Sequence, residues 1–485
     1  MNSIVETIYR HNLETPDKTA VIAEDMTVNY AQLWNYIKSV SALIKNEISR
    51  GDRVLVESNH TVEFLACCYG VHLAGGVHVP FEARTPDKRI QEIADELSAA
   101  LIIKGEHPLA YFDTDMASLK PVDDSEVVFP EREMLAEILF TTGTTGKSKG
   151  VMVTHNGQMN MAETCNAVLN YSKDNLWLIP TPMNHAAGLR KTHMSLVHGS
   201  SVLLLKGFTN VKRFFECIRD YHVTSIYLPP SAVHYILALA PNELGKYKDQ
   251  LDFLYSSSAA MPQVDKEKLM AQLPDTRMFD AYGGSEVGAV CYIDFNHVTD
   301  KKGAVGKPNP GVDIWTTDEN HVPIQGTKEN PGIIAIRSNT VMAGYWGEPE
   351  LTKATIQDGI LYMSDLGYIG EDGYLYLIGR AGDVINVGGY KVAPVEVEDV
   401  ALRFENINAC ACIPYQDKMM GTAVKMYIET KDGNPIDVKE LSKFIGVNLE
   451  AYKIPKRFEY IDTIPMTFNG KIDRKKLIAY DREKK

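Results

Sequence analysis

The chain predicts an α/β protein built on a mostly parallel sheet, followed by a β-rich stretch and a small α+β unit. Three observations carry this. From residue 53 onward, apolar runs with strand character alternate with segments of helical apolar spacing, the pattern of βα units. Residues 303–380 change to short strand-like runs broken by Gly and Pro, the texture of a β-rich subdomain. Beyond Arg380 strands and helices return in a shorter unit.

In order, helical spacing is expected over 4–11 and 30–44, with a strand pair 19–22 and 27–30 between them. Strand 53–56 leads to an apolar helix 62–73, strand 77–80, and a helix to Leu97 that starts at Thr85-Pro86-Asp87, with a hydroxyl cap and proline in its first turn. Strand 100–103 closes that series. Helices 158–169, 189–198 and 211–221 then alternate with strands 176–179, 201–205 and 224–228. The last unit reads as helix 395–403, strands 409–414 and 423–429, and helix 437–448.

A chain of 485 residues suggests two to four folding units. Its 45% hydrophobic and 23% charged residues describe a soluble globular protein. A net charge of -13 argues against nucleic acid or anionic membrane as the main partner. The N-terminal residues lack a basic region followed by an apolar core, and no run approaches a membrane span of roughly 18 residues. The seven cysteines include no C-x-x-C pair, so neither a metal nor a disulfide framework is expected and the cytoplasm is the default location.

The stretch from Ile138 to Val151 stands out. An apolar run enters a loop of Thr141, Thr142, Gly143, Thr144, Thr145, Gly146, Lys147, Ser148, Lys149 and Gly150. Glycines let backbone N–H groups converge, hydroxyls add donors and lysines add positive charge, which suits the loop to phosphate. The G-x-x-x-x-G-K-[ST] pattern fails, because the position it requires as glycine is Thr141. A P-loop also opens a helix, whereas residues 150–155 read as a second strand.

Two other stretches carry chemistry. Asp280-Ala281-Tyr282-Gly283-Gly284-Ser285-Glu286 reads as a short turn with an aromatic to stack on a base, a hydroxyl for phosphate and a carboxylate for a hard cation. Near the end, Asn469-Gly470-Lys471-Ile472 puts one lysine on a Gly-bearing turn.

Taken with Ala74-Gly75-Gly76-Val77-His78-Val79-Pro80, Pro182-Met183-Asn184-His185-Ala186-Ala187-Gly188, Gly344-Tyr345-Trp346, Ser364-Asp365-Leu366-Gly367, Gly379-Arg380 and Gly388-Gly389-Tyr390-Lys391-Val392, these stretches form an ordered series over nearly the whole chain. In that order they strongly resemble the adenylate-forming superfamily of acyl- and aryl-CoA synthetases, peptide-synthetase adenylation domains and luciferases. The resemblance implies a large N-terminal domain, 1–380, with doubly wound sheets and a β-rich subdomain at about 303–380. It also implies a small mobile α+β C-terminal domain, 381–485, that carries the catalytic lysine.

The implied reaction has two halves. A carboxylate attacks the α-phosphate of MgATP to give acyl-AMP and pyrophosphate, and a thiol then displaces AMP. By resemblance, residues 141–149 hold the β- and γ-phosphates, Ser285 the α-phosphate and Glu286 the Mg2+ ion. Tyr282 flanks adenine, Asp280 accepts from its amino group, and Ala281, Gly283 and Gly284 complete that wall with Ser258, Ala259 and Ala260. Asp365 accepts from the ribose hydroxyls with Arg380 beside it, and Lys471 bridges the attacking carboxylate and the α-phosphate. Some positions depart from the family pattern. Ser285 stands for threonine, Met363-Ser364 for Thr-Gly, Gly382 for the Asp or Lys of the hinge, and residues 256–262 for a Gly-rich segment.

Ala186 occupies the position where amino-acid adenylation domains place an aspartate, so an α-amino acid is not expected. His185 resembles the aromatic gate of acyl and aryl ligases. The acyl pocket is assigned to His185, Tyr227, Leu228, Ser256, Ser257 and Val290, whose mixed polarity suits an aromatic or short-to-medium acyl acid. Arg190 is read as an exposed helix arginine or, less favoured, as a contact for a second carboxylate or hydroxyl of the substrate. Gly388 and Gly389 suit a pantetheine arm, of CoA or of a carrier protein. Three readings stay open: an acyl- or aryl-CoA ligase, a free-standing enzyme that loads a carrier protein, and a degenerate homologue that only binds nucleotide.

Overall fold

The computed structural model describes residues 1–142, 148–388, 390–417, 421–467 and 471–484, Thr142 by its backbone alone. Gly143, Thr144, Thr145, Gly146, Lys147 and Gly389 lie outside the described residues.

The larger sheet has two characters. Strands Ser201–Leu204, Leu176–Ile179, Ser225–Tyr227, Phe253–Ser256 and Arg277–Gly284 lie side by side and parallel. From Arg277–Gly284 onward each neighbour is antiparallel, through Gly288–Asp294, Ala304–Pro308, Leu375–Arg380, Ile360–Ile369 and Gly332–Arg337. The β-rich stretch is thus hydrogen-bonded onto the parallel half, at Cys291 opposite Pro308.

A second sheet runs parallel through Leu101–Ile103, Arg53–Ser58, Val77–Glu82 and Leu135–Thr142. It then turns back in a hairpin with Ser148–Thr154. The flanks of the Thr/Gly/Lys stretch are therefore paired strand ends, Thr141 opposite Lys149 and Thr142 opposite Ser148, and a strand follows the stretch where a P-loop would open a helix. Helix Val62–Leu73 is buried along its whole length. Thr61 caps it by accepting from the Phe64 N–H at 3.1 Å. Gly70 brings it against helix Tyr30–Lys45, since a Cβ there would stand 2.9 Å from Val40 Cγ1.

Strands Ile407–Asp417, Gly421–Thr430 and Arg457–Tyr460 form a separate sheet. With helices Pro394–Ala401 and Val438–Asn448 they bury a core of their own, including Val397, Ile407, Cys412, Val424, Met426 and Leu441. Among the described residues no helix is long and apolar enough to cross a membrane. All seven cysteines are free and buried.

Local departures from the sequence expectations have simple causes. Helix Asp87–Leu97 has Pro86 at its N-cap and no side-chain cap, so the expected hydroxyl cap from Thr85 is not made. The helix expected at residue 158 begins at His155, because Thr154 Oγ accepts from the Gly157 N–H at 3.0 Å and sets the start. Helices Pro230–Leu239 and Gln263–Gln272 and strand Phe253–Ser256 were not assigned from the sequence.

Candidate active site

The stretch read as a short turn over 280–286 is largely strand. Asp280 to Gly284 finish Arg277–Gly284, pairing antiparallel with Gly288–Asp294, and only Ser285 to Val287 turn. Two glycines hide the strand from propensity. They are there for close approach: a Cβ on Gly283 would stand 1.8 Å from the Gly288 carbonyl oxygen. Ser285 and Glu286 are thereby presented at the tip of a tight hairpin.

Around this tip residues far apart in sequence converge. Asp280 is buried and its Oδ2 accepts from Lys266 Nζ at 2.7 Å. The Tyr282 ring is buried, and its hydroxyl donates to Asp365 Oδ2 at 3.0 Å. Burial and the neighbouring Asp365 push that phenol well up. Asp365 sits on Ile360–Ile369, directly across the ladder from Arg380. Burial raises its carboxyl, while Arg380, the Tyr282 hydroxyl and Lys471 pull it back down.

Lys471, half-buried, joins this group from the C-terminal unit. Burial and then Arg380 lower its ammonium, and Asp365 and Glu286 pull the other way. Lys471 is tied to Thr467, whose N–H donates to the Lys471 carbonyl at 2.6 Å and whose Oγ accepts from the Lys471 N–H at 3.2 Å.

Glu286 Oε1 accepts from the Tyr345 hydroxyl at 2.9 Å. The Tyr345 ring in turn carries Lys149 Nζ at 5.3 Å from its centroid. Carboxylate, phenol and ammonium thus tie the hairpin tip to the flank of the Thr141–Gly150 stretch. Within that stretch Ser148 Oγ donates to the Thr141 carbonyl at 3.0 Å, with Thr141 opposite Lys149 in the ladder.

His185 occupies the N-cap of helix Ala186–His198, and the Asn184 side-chain nitrogen lies 3.3 Å from its Nε2. Burial lowers its imidazole to about 4, so it is neutral at pH 7. Gly188 sets this entry into the helix, because a Cβ there would stand 2.4 Å from the Pro182 carbonyl oxygen. Gly188→Ala is expected to cost about 1–3 kcal/mol of overpacking and to raise the KM for the acid by displacing His185. Thermal denaturation and acid-dependent kinetics of that variant check both.

Tyr227 is buried, with its hydroxyl 3.0 Å from Ser257 Oγ and 3.3 Å from Ser258 Oγ. Ser258 has a φ of 84° and is exposed, a left-handed conformation that glycine adopts more readily. Ala260 is exposed beside it, Ala259 and Ala281 are half-buried, and Ser256 is buried. Leu228 packs in a different core cluster from Tyr227, and Val290 packs with Tyr282. Gly382 is exposed with nothing near its Cβ position, and Gly388 has a φ of 58° in an exposed turn.

Arg190 is not an exposed helix arginine. It is buried; its Nε donates to Glu137 Oε1 at 3.2 Å and its Nη1 to the Ser285 carbonyl at 2.9 Å. Glu137 is fully buried, with His193 Nε2 at 3.6 Å from its second oxygen. Burial pushes the Glu137 carboxyl up, but His193 and Arg190 outweigh it and hold the group at about 2. Lys266, Glu137 and Tyr345 were not given these contacts in the sequence reading. Glu137 alone left a signal, as one charge in an apolar strand.

The family model for AMP-binding enzymes matches residues 8–346, and that for the AMP-binding enzyme C-terminal domain matches residues 396–471. The chain belongs to the AMP-binding enzyme family. Its place in the adenylate-forming superfamily agrees with the ordered motifs. A long-chain-fatty-acid–CoA ligase of Bacillus subtilis is 27% identical, over 96% of this chain and 92% of the relative. A 2-succinylbenzoate–CoA ligase of Bacillus licheniformis is also 27% identical, over 96% of this chain and 97% of the relative. In fold, this AMP-binding enzyme matches the crystal structure of ATP-bound MatB from Rhodopseudomonas palustris with a TM-score of 0.88, at 24% identity and full coverage of both chains (100% and 100%).

Proposed function

We propose that the protein is an AMP-forming acid–thiol ligase. It activates an aryl or short-to-medium acyl carboxylic acid with ATP, releases pyrophosphate, and passes the acyl group to CoA. The observation that carries this reading is that the charges of Arg380, Asp365 and Glu286 all act on the Lys471 ammonium, with Asp365 opposite Arg380 in the ladder and bonded by the Tyr282 hydroxyl. A cation from the far end of the chain thus lies within electrostatic reach of the carboxylates and guanidinium expected around a nucleotide.

In the first half-reaction a carboxylate oxygen of the acid attacks the α-phosphorus, and the bond to the bridging oxygen of pyrophosphate breaks. Negative charge builds on the α-phosphoryl oxygens, so donors must already be aimed there. Ser285 and Lys471 supply them, with Lys471 also touching the incoming carboxylate. Thr141, Thr142 and the loop to Lys149 hold the departing phosphates. Asp365 accepts from the ribose hydroxyls beside Arg380, and Asp280, Tyr282 and residues 258–260 flank adenine. Glu286 offers a hard carboxylate oxygen next to a phenol, a donor set that fits Mg2+; when bound, the ion neutralises phosphate charge. His185, neutral at pH 7, gates the acid without competing for its charge.

In the second half-reaction the thiolate sulfur attacks the acyl carbon and AMP leaves with the bonding electron pair. For this Lys471 must withdraw. We place the boundary after Arg380, with residues 1–380 as the adenylating domain and 381–485 as the part that rotates about Gly382. Gly388 and Gly389 then meet the pantetheine arm. Seven free, buried thiols support a reducing cytoplasmic setting.

The test is ATP–pyrophosphate exchange across a panel of carboxylic acids, followed by thioester formation with CoA or with a phosphopantetheinylated carrier protein. Acid-dependent exchange and CoA thioester are expected. Exchange with transfer only to the carrier protein would replace CoA as acceptor. No exchange with any acid would leave a protein that only binds nucleotide.

A further inference from the structure

Helix Ala186–His198 buries two consecutive cations, Arg190 and Lys191. Arg190 has Glu137 as its counter-ion. Lys191 has no carboxylate in salt-bridge contact among the described residues. Its Nζ donates to the Tyr255 hydroxyl at 3.0 Å and stands over two aromatic rings, 4.5 Å from the Tyr255 centroid and 5.4 Å from that of Tyr227. Phenols and ring faces stabilise an ammonium less than a carboxylate does once it has left water. Burial accordingly lowers Lys191 to about 8.

Lys191 and Arg190 line a cavity of about 20 Å³ shared with Gln158, Gly288 and Ala289. Its wall holds buried polar atoms without partners: both side-chain amide atoms of Gln158 and Nη2 of Arg190. Two cations against one carboxylate, with Arg190 Nη2 and the Gln158 amide nitrogen as unpaired donors on a small void, suit the site to an anion.

Lys191 connects the cavity to the residues assigned to the acyl pocket. Lys191 lies over Tyr227, whose hydroxyl meets Ser257 and Ser258. It follows His185 on the same helix by six residues, about 9 Å along the axis. Gly288 and Ala289 begin the strand that leaves the Ser285–Glu286 tip.

We propose that the acid activated by this enzyme is a dicarboxylic acid, whose second carboxylate is received by Lys191 with Arg190 Nη2 and the Gln158 amide nitrogen. This rests on the ligase reading above and names its substrate class. Lys191 is then a specificity-determining residue that takes no part in the chemical step.

The experiment is pyrophosphate exchange with matched acids: a linear monoacid, the diacid of equal length and its monomethyl ester, and benzoate with and without a carboxyalkyl substituent. The diacid of at least one pair is expected to exceed its monoacid and monoester by about 10²-fold in kcat/KM. Lys191→Met should abolish that preference mainly through KM, and Lys191→Arg should restore most of it. Thermal denaturation verifies that the variants fold, and the wild-type comparison needs no variant. Exchange supported by monoacids, with diacids no better, overturns the proposal and leaves the ligase reading standing. A diacid preference that survives in folded Lys191→Met overturns Lys191 as its origin. Exchange with no acid at all overturns the ligase reading and this one with it.

Discussion

Lys471→Ala is expected to lower acid-dependent pyrophosphate exchange by at least ~10²–10³-fold, the usual loss when one transition-state donor is removed. The argument is positional. Lys471 lies in the C-terminal unit, yet its ammonium is near Arg380, Asp365 and Glu286, in an arrangement suited to adenylation. The variant should melt no lower than wild type, because burial and Arg380 both disfavour the charged lysine in the folded state. Thiolysis of a supplied acyl-adenylate should fall far less, since Lys471 is proposed to leave before that step. Near-normal exchange would remove Lys471 from the reaction. Equal losses in both half-reactions would instead point to a structural role.

Much of this site was legible in the sequence because its parts are short stretches with their own chemistry. The Thr141–Gly150 run, the Ser285–Glu286 pair and the lysine of 469–472 each show as clusters of unusual residue types. What the sequence does not carry is the second layer of contacts. Nothing in the residues around Lys266 says that it will meet Asp280, because helix Gln263–Gln272 has little apolar periodicity to locate it. Tyr345 was one member of a motif, and its bond to Glu286 depends on how the strand Gly344–Tyr345 reaches the edge of the second sheet. The same holds for Cys68, His72 and His78. They carry no C-x-x-C signal, yet helix Val62–Leu73 and the strand after it bring donor atoms of all three within 4.8 Å of one another.

The fold divides similarly. Segments with a dense apolar run, such as Val62–Leu73 and the parallel strands up to Ser225–Tyr227, are legible from the chain alone. The strand Arg277–Gly284 was not, because glycines needed for backbone approach erase its propensity. Arg190 shows the limit most plainly. An arginine four residues into a helix is usually exposed, and only the buried Glu137 opposite it explains why this one is not.

Glu137 therefore carries the second large expectation. Removing one partner of a buried ion pair costs about 3–5 kcal/mol, so Glu137→Gln should lower the stability of the N-terminal part by that order in denaturant unfolding. Replacing the pair together, Glu137→Leu with Arg190→Leu, should cost less, since no buried charge is stranded. The pH dependence has a definite sign. The carboxyl is held at about 2 against an ordinary 4.5, so the unfolded chain binds the extra proton first. The stabilisation is complete above pH ~4.5 and is lost as pH falls toward ~2, amounting to roughly 3 kcal/mol. Wild type should lose that increment across the window while Glu137→Gln does not. Activity couples to the same pair, because Arg190 Nη1 holds the Ser285 carbonyl. Slack there should reduce exchange by up to ~10²-fold, together with the fall in stability. Lys471→Ala should reduce exchange without that fall, so paired melting and exchange measurements distinguish a residue that positions the Ser285 turn from one proposed to act on the α-phosphate.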